Sequence, residues 1–447
     1  VLGYWSSTLY ASPSCIFAPQ NALEVSVFVL ATQLFNQEFA IRGGGHMPIP
    51  LYNNAEVGGI LLATTKLNTL SLASDKKTLS VGPGRRWNEV ADYLTPYGLA
   101  AVGGRVGNVG VPGFLLGGGI SFYSSQYGFG SDNIVKYQVV TAKGAIIEPT
   151  ANNLYSDLFW ALKGGGNSFG LVTRFDIKVY SSPSVWVGTA QYDTSQRDAF
   201  LSAIYNFVKY GSADPKAAII PITLTIPAAG LTAYGATRFY DAATVNPTVF
   251  SNFSVPKMTP VVDGFAYQPL SEYLRSTDPL QPNGLRQEFR TLSFSVDERA
   301  IAYVHDQFLG QINELAAVAG LTASFTFQPI PKSFIQAGIN AGGNPQGVPI
   351  NKAPYIWIVL NWSWTNTADD AAVRSFATRI TAQVEQQFSA LGVASPYHYL
   401  NDAGPGQPVF QGYPAANLAK LKTIRNKYDP SKVFTELMPG GWKVANA

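Results

Sequence analysis

The sequence predicts an α+β fold of two interlaced parts, one made of short alternating elements and one built on a large antiparallel sheet backed by helices. Three observations predict it. Residues 1–178 alternate strand-like and helix-like segments of a few residues each, and residues 396–447 return to that character. Between them, residues 179–395 carry long runs rich in β-branched and aromatic residues, separated by long amphipathic helices. The chain of 447 residues also exceeds one ordinary core, so two or three domains are expected.

Taken in order, "ALEVSVFVLATQLFNQ" places Val25, Phe28, Val29 and Leu34 on roughly one helical stripe. "EFAIRG" reads as a short strand running into glycines, and "GGILLATTKLNTLSLASDKKTLSVGPG" as strands with a polar turn at Ser74-Asp75-Lys76-Lys77. "RRWNEVADYLTPYG" is a short helix ended by Pro96. "DNIVKYQVVTAKGAIIEPT" is a hairpin turning at Lys143-Gly144. "NNLYSDLFWALKGGG" is a helix capped near Ser156-Asp157 and stopped by Gly164, and "GLVTRFDIKVYS" is an alternating strand. In the middle, "SVWVGTAQYD", "LTAYGATRFYD", "EFRTLSFSVD", "ASFTFQPIP" and "APYIWIVLNWSW" read as strands. "ERAIAYVHDQFLGQINELAAVAG" and "DDAAVRSFATRITAQVEQQFSALG" read as helices. In the tail, "NLAKLKTIRNKY" sets Leu418, Leu421, Ile424 and Tyr428 on one helical face and ends at Asp429-Pro430.

Composition narrows the function. Hydrophobic residues make up 46% and charged ones 13%, the balance of a packed protein rather than a disordered one. The net charge of +3 is spread without a Lys/Arg block, so neither nucleic acid nor an acidic membrane is expected as a partner. The nearest approach to the ~18 apolar residues of a membrane helix, "AAIIPITLTIPAAG", is interrupted by Pro221 and Pro227. The N-terminal "VLGYWSSTLY" has no basic region or long apolar core, as expected if no signal peptide existed or it has been removed. A secreted or secretory-pathway location is expected, with an intracellular one as the alternative. The sequons at Asn252 and Asn361 permit glycosylation on that route, although Trp362 sits in an apolar stretch. Cys15 is the sole cysteine and there are three histidines, which excludes an internal disulfide and disfavours a structural metal site.

Three glycine-dense segments carry the chemistry: "RGGGH" (42–46), "GGRVGNVGVPGFLLGGG" (103–119) and "KGGGNSFG" (163–170). Bare backbone lets another group approach closely, and its amides bind anions such as phosphate. Any one cluster alone is equally an ordinary turn. Neither GxGxxG between a strand and a helix nor GxxxxGK[ST] is present, so the common nucleotide folds do not apply.

Together, "FAIRGGGHMPI", "SVGPGRRWNEV", "YGLAAVGGRVGNVGVPGFLLGGGISFYSSQYGFGSDNIV", "DLFWALKGGGNSFGLVTRF" and "KYDPSKVFTELMPGGWKV" resemble the vanillyl-alcohol-oxidase-type (PCMH-type) FAD-linked oxidoreductases. Within them the chain resembles the fungal berberine-bridge-enzyme-like branch. The likeness covers most of residues 4–178 and the last ~50, in the family's order; the middle matches in outline. It implies a two-subdomain FAD-binding domain from residues 1–178 and 396–447, with residues 179–395 as the substrate domain. It assigns FAD contacts to Arg42, Gly43, Gly44, Gly45, His46 and Met47, and to Gly103, Gly104, Asn108, Gly110, Val111, Gly113, Gly117 and Gly118. It adds Ile134, Gly170, Val172, Tyr399 and Asn401.

The resemblance implies that His46 is bonded covalently to a methyl carbon of the flavin, chemistry that suits a nucleophilic imidazole. The second tether of many relatives is a cysteine where this chain has Val106, so one covalent link is expected. Relatives also pair a cysteine at the Cys15 position with one near Gln37; here Cys15 is expected to be a buried free thiol. Val109 falls where the family guards oxygen access to the flavin, and a small residue resembles members that use O₂; core packing is the alternative. In "PYHYLNDAG", Tyr399-Leu400-Asn401 matches the family's Y-x-N-Y, with Asp402 in place of the final tyrosine. The match makes Tyr399 a base or hydrogen bonder and Asn401 a cofactor contact. On a strand Tyr397 and Tyr399 would share a face and His398 would point away, in a structural role.

On the substrate side, Arg238, Tyr240, Glu288, Arg290 and Gln328 are ionisable or polar candidates, with Glu288 and Arg290 read as a solvent-side ion pair. Tyr234, Phe239, Tyr240, Phe289, Phe294, Phe325, Phe327, Trp357 and Trp362 build either an aromatic pocket or core. The expected activity is an FAD-dependent oxidase of a phenolic, polyketide or alkaloid-like metabolite, with O₂ and the small molecule as partners and a monomeric state. A sugar oxidase of the same fold, a redox-neutral cyclase or isomerase, and a non-catalytic flavin-binding protein are the alternatives.

Overall fold

The computed structural model describes residues 3–447. The first part holds two small sheets. A parallel sheet orders the strands Cys15–Phe17, Ile60–Ala63 and Phe39–Arg42. Helix Ala22–Leu34 packs against it; Asn21 caps that helix by accepting the Glu24 N–H at 2.9 Å. A second sheet runs Leu70–Leu72, Thr78–Val81, Leu171–Ser181, Ile134–Val140 and Ile146–Ile147, with Leu99–Ala101 paired to the long central strand. The expected turns at 74–77 and 143–144 join neighbouring strands of this sheet. Cys15 is free but exposed rather than buried, because its strand is an edge of the parallel sheet.

The tail closes this part. Tyr397, Tyr399, Phe410, Tyr413, Leu421 and Ile424 share one core with Tyr137, Phe159, Leu162 and Phe169. Val433, Phe434 and Met438 pack against Val25, Phe28, Val29 and Phe39. Each such side chain contributes about 1.5–3 kcal/mol by leaving water, so the distant segments are held by burial rather than by continuity of chain.

The middle forms one eight-stranded sheet. Its order is Val262–Gln268, Val185–Tyr192, Leu231–Tyr240, Ala217–Ile226, Thr322–Ile330, Tyr355–Trp364, Arg286–Ser295 and Ala394–Ser395, with antiparallel neighbours throughout. Alternation decides its two faces. Ala323, Phe325, Phe327, Ile356, Ile358, Leu360, Trp362 and Trp364 are buried under the helices Arg197–Lys209, Glu298–Gln311 and Asp370–Ala390. Ser324, Thr326, Gln328, Val359 and Asn361 stand on the other face, over the first part.

Two strands of this sheet and one helix over it differ from the sequence reading. "AAIIPITLTI" is a strand, and its pairing with Thr322–Ile330 stops at Ile222, so Pro221 falls where that ladder ends. Val262–Gln268 and helix Arg197–Lys209 carried no distinct signal. No helix of the described residues is long and apolar enough to cross a membrane. The sequon at Asn361 lies inside the molecule: Asn361 faces the cavity described below and Trp362 is fully buried, so no glycan fits there.

Candidate active site

Both parts line one cavity of about 540 Å³, within the size range of ligand and cofactor sites. One wall is made of backbone. The strand Phe39–Arg42 ends in Gly43-Gly44-Gly45, and this turn crosses the segment that starts helix Val111–Leu116. At the crossing a Cβ on Gly44 would lie 2.5 Å from the Gly110 Cα and N, so two bare backbones are required. Arg86 clamps the crossing. Its Nη2 donates to the Gly44 carbonyl at 2.7 Å and its Nη1 to the Asn108 carbonyl.

His46 emerges directly from this clamp. Its ring stacks on Trp5, with centroids 4.2 Å apart and planes 8° from parallel, while the backbone N–H of Trp5 donates to the Gly45 carbonyl at 3.0 Å. Its Nε2 is buried and has no hydrogen-bond partner among the described residues. Burial, reinforced by the Arg86 guanidinium, pushes the imidazole pKa down to about 3. His46 is therefore a neutral ring on the cavity wall with an uncommitted nitrogen.

Opposite the end of helix Val111–Leu116 stand Tyr399 and Asn401. The Tyr399 oxygen accepts from the Gly119 N–H at 3.1 Å, the Ile120 N–H at 3.0 Å and Asn401 Nδ2 at 3.0 Å. Asn401 Nδ2 also donates to the Phe114 carbonyl at 3.1 Å, and a Cβ on Gly117 would overlap the Asn401 amide. Burial, with the Asp402 carboxylate next, pushes the Tyr399 pKa far above the phenol range. Tyr399 is thus a neutral hydrogen bonder here. Residues 396–399 are not a strand, but the expected divergence holds: His398 Nδ1 lies 3.1 Å from the Pro396 carbonyl and Nε2 lies 3.5 Å from Glu385, away from the cavity. Tyr397 hydrogen-bonds Gln346 inside the core instead of sharing the Tyr399 site.

The other wall is the open sheet face, with Ile220, Ile222, Thr237, Phe289, Thr326 and Val359. Of the nine candidate aromatics only Phe289 reaches the cavity: alternation turns Tyr234, Tyr240, Phe294, Phe325, Phe327 and Trp362 the other way, while Phe239 and Trp357 share the cavity face but pack into cores beside it, against Phe122 and Tyr397. Glu288 and Arg290 do pair, at 3.4 Å, but on the buried face under helix Asp370–Ala390 rather than toward solvent, with Glu288 3% exposed. Arg238 is also away from the cavity, over Phe265, and Tyr240 donates to Asp214 at 3.0 Å. Gln328 does face the cavity.

Of the residues assigned to the cofactor, Gly43, Gly44, Gly45, His46, Met47, Gly104, Gly110, Gly113, Gly117, Gly170, Val172, Tyr399 and Asn401 line the cavity, as do Val106 and Val109. Six stand behind the wall. Arg42 lies 5.0 Å over the Tyr4 ring, and Gly103 backs onto Trp87. The Asn108 N–H donates to Asp278 at 3.0 Å, and Val111 and Ile134 are core residues. Gly118 turns the chain at φ +108. Trp5, Arg86, Arg105 and Tyr273 were not legible as site residues. Arg86 and Arg105 stand inside the quoted segments "SVGPGRRWNEV" and "GGRVGNVGVPG", which could have marked them, whereas Trp5 and Tyr273 sit far in sequence from the cradle and lie in no such segment.

The bare-backbone cradle and the orphaned imidazole nitrogen suit a flavin nucleotide: amides for its phosphates, a nucleophile beside its ring. A family model described as an FAD binding domain matches residues 13–149. Over its whole length, aligned with 89% of the relative, the chain is 34% identical to the FAD-dependent monooxygenase prx3 of Penicillium roqueforti. The structure of 6-hydroxy-D-nicotine oxidase from Arthrobacter nicotinovorans superposes with a TM-score of 0.79 at 20% identity, covering 97% of this chain and 93% of that one. Glucooligosaccharide oxidase from Acremonium strictum, described with a 6-S-cysteinyl, 8α-N1-histidyl FAD, gives 0.77 at 18% identity over 98% and 94%. At such identities the two structures share the fold with this chain.

Proposed function

The chain belongs to the vanillyl-alcohol-oxidase-type FAD-linked oxidoreductases, in their fungal berberine-bridge-enzyme-like branch, and from that premise we propose that it is an oxidase of a small phenolic, polyketide or alkaloid-like metabolite. Bound FAD supplies a hydride acceptor that dioxygen re-oxidises, giving hydrogen peroxide. The observation that carries the reading is His46: a buried neutral imidazole, stacked on Trp5, with an unpartnered Nε2 beside a glycine cradle. His46 is the single covalent anchor, because Val106 occupies the place of a second. Gly43, Gly44, Gly45 and Gly110 bring backbone to the phosphates. Tyr399 and Asn401 fix the end of helix Val111–Leu116 against the cofactor's edge. Val109, small and on the cavity wall, leaves a path for oxygen. The sheet wall sets Ile220, Ile222, Phe289 and Val359 among Thr237, Ser324, Thr326, Gln328 and Asn361, and its apolar patch favours a metabolite with an apolar body over a sugar.

The test is direct. Acid-precipitated protein should stay yellow, and His46→Ala should release its FAD into the supernatant; a colourless wild-type pellet would overturn the covalent anchor. Anaerobic bleaching of the flavin by a substrate, with colour and hydrogen peroxide appearing when air is admitted, is the expected oxidase signature. Colour that returns without peroxide overturns the oxidase reading.

A further inference from the structure

Helix Ala22–Leu34 is apolar on both faces. Val25, Phe28 and Val29 point inward and pack in one core with Phe39. A helix with one buried face ordinarily turns polar residues to water. Here the four exposed positions of the helix are Leu23, Val27, Leu30 and Leu34, every one aliphatic. Leu34, expected on the inner stripe, is 78% exposed instead. Phe35, which ends the helix, extends the outer stripe and is 76% exposed. Two residues on, Gln37 donates to the Gly58 carbonyl and ties the turn that carries the exposed Val57 to the same end. The one charged residue of the helix, Glu24, is engaged at its N-terminus, accepting from the Gln20 N–H at 2.8 Å and from Asn21 Nδ2 at 3.1 Å. Six exposed apolar side chains here amount to about 600 Å², the top of the range for the largest patch on a typical monomer.

We propose that this outer face seats a second copy of the chain, in an antiparallel helix pair about a two-fold axis. Three features select that occupant. The stripe Leu23, Val27, Leu30, Leu34 has steps of 4, 3 and 4 residues, which read the same in either direction. A two-fold axis therefore sets Leu23 against the partner's Leu34 and Val27 against the partner's Leu30, and alternating steps of three and four interlock helices side by side. The area suffices, since covering the patch on both copies removes about 1,200 Å² from water, the lower bound of a specific interface. The chemistry disfavours an anionic lipid surface, because the helix has no Lys or Arg, which interfacial helices present to phosphate headgroups. None of the six side chains lines the cavity, so each copy keeps a complete site. The state in solution is then a dimer, where the sequence reading expects a monomer.

Sedimentation velocity on the flavin-loaded protein should show a reversible dimer at micromolar concentrations. Val27→Glu with Leu30→Glu places four like charges at the two-fold axis and should weaken dimerisation by about a hundredfold, with flavin content and far-ultraviolet circular dichroism unchanged. Cross-linking tests the geometry. In a Cys15→Ser background, which removes the exposed native thiol, Leu23→Cys mixed with Leu34→Cys should form a disulfide-linked dimer under mild oxidation. Either variant alone should cross-link roughly tenfold less, because antiparallel pairing sets identical positions about 16 Å apart along the axis, beyond the reach of a disulfide. A monomer at every concentration reached overturns the proposal. So does a dimer that persists in the double-glutamate variant, since it uses another surface, and so does equal cross-linking by the single variants. Should the double-glutamate variant fail to fold, the cross-linking comparison decides alone. Wild-type protein that stays monomeric but co-sediments with phosphatidylcholine–phosphatidylserine vesicles, while the double-glutamate variant does not, would give the face to a membrane and overturn the second copy.

Discussion

The two walls of the cavity recognise by different means. The cradle wall works through main chain: Gly44 and Gly110 touch backbone to backbone, and Arg86 ties carbonyl to carbonyl. The sheet wall works through side chains presented at every second residue of separate strands, one of which, Gln328, hydrogen-bonds both Arg105 and Asp402 of the first part. Main-chain recognition tolerates one residue type and so constrains sequence tightly. Side-chain recognition is set by a few groups on a generic scaffold, and that is where members of one fold differ in substrate.

The sharpest way to break this comparison is to put one methyl group on the cradle. In Gly44→Ala the new Cβ meets the Gly110 Cα and N at 2.5 Å, and backbone cannot rotate away as a side chain can. The expected outcome is recovery of no flavin-loaded protein, read from the ratio of flavin to protein absorbance. A variant with full flavin content would show that the two loops move apart freely and that the cradle is not built on close approach.

A smaller effect is expected behind His46. In wild-type protein the imidazole pKa lies near 3, lowered from 6.5 chiefly by burial, so the ring is neutral and nucleophilic at any higher pH. Flavin attachment to apoprotein should therefore be flat between about pH 5 and pH 8, a range that spans the ordinary histidine pKa. Trp5→Phe keeps a ring but uncovers part of the imidazole, at a stability cost of about 0.5–1.5 kcal/mol. Its pKa should rise back toward 6.5, and attachment should then fall off on the acid side. An inflection already present in wild-type protein would show that the stack does not keep the ring neutral.

The same contrast explains what was legible. The glycine runs, the short strand into Gly43 and the turn at 74–77 are local signals, and each stands where the pattern placed it. The alternation of "ASFTFQPI" and "YIWIVLNWSW" identified strands but not which face was covered, because a helix 370–390 and a cavity both suit half-apolar faces. That ambiguity put Glu288 and Arg290 on the solvent side and eight core aromatics among the pocket candidates. Arg105, Gln328 and Asp402 meet across 223 and 74 residues of chain, and no local pattern encodes such a meeting.

The sheet wall offers the mildest test. Thr326 is 8% exposed, lines the cavity and lies beside Gln328 on the same face of its strand. Thr326→Val exchanges a hydroxyl for a methyl of similar size without disturbing the backbone ladder to Ile222. Stability should stay within about 0.5 kcal/mol, because no core contact or buried partner is lost. Flavin content and acid-stable colour should match wild type, since Thr326 has no part in the cradle. The change should appear only in KM for the oxidised substrate, by a few-fold, with kcat preserved, the pattern of altered uniform binding. A fall in flavin content would mean that the sheet wall also holds the cofactor, and the division of labour between the two walls would have to be redrawn.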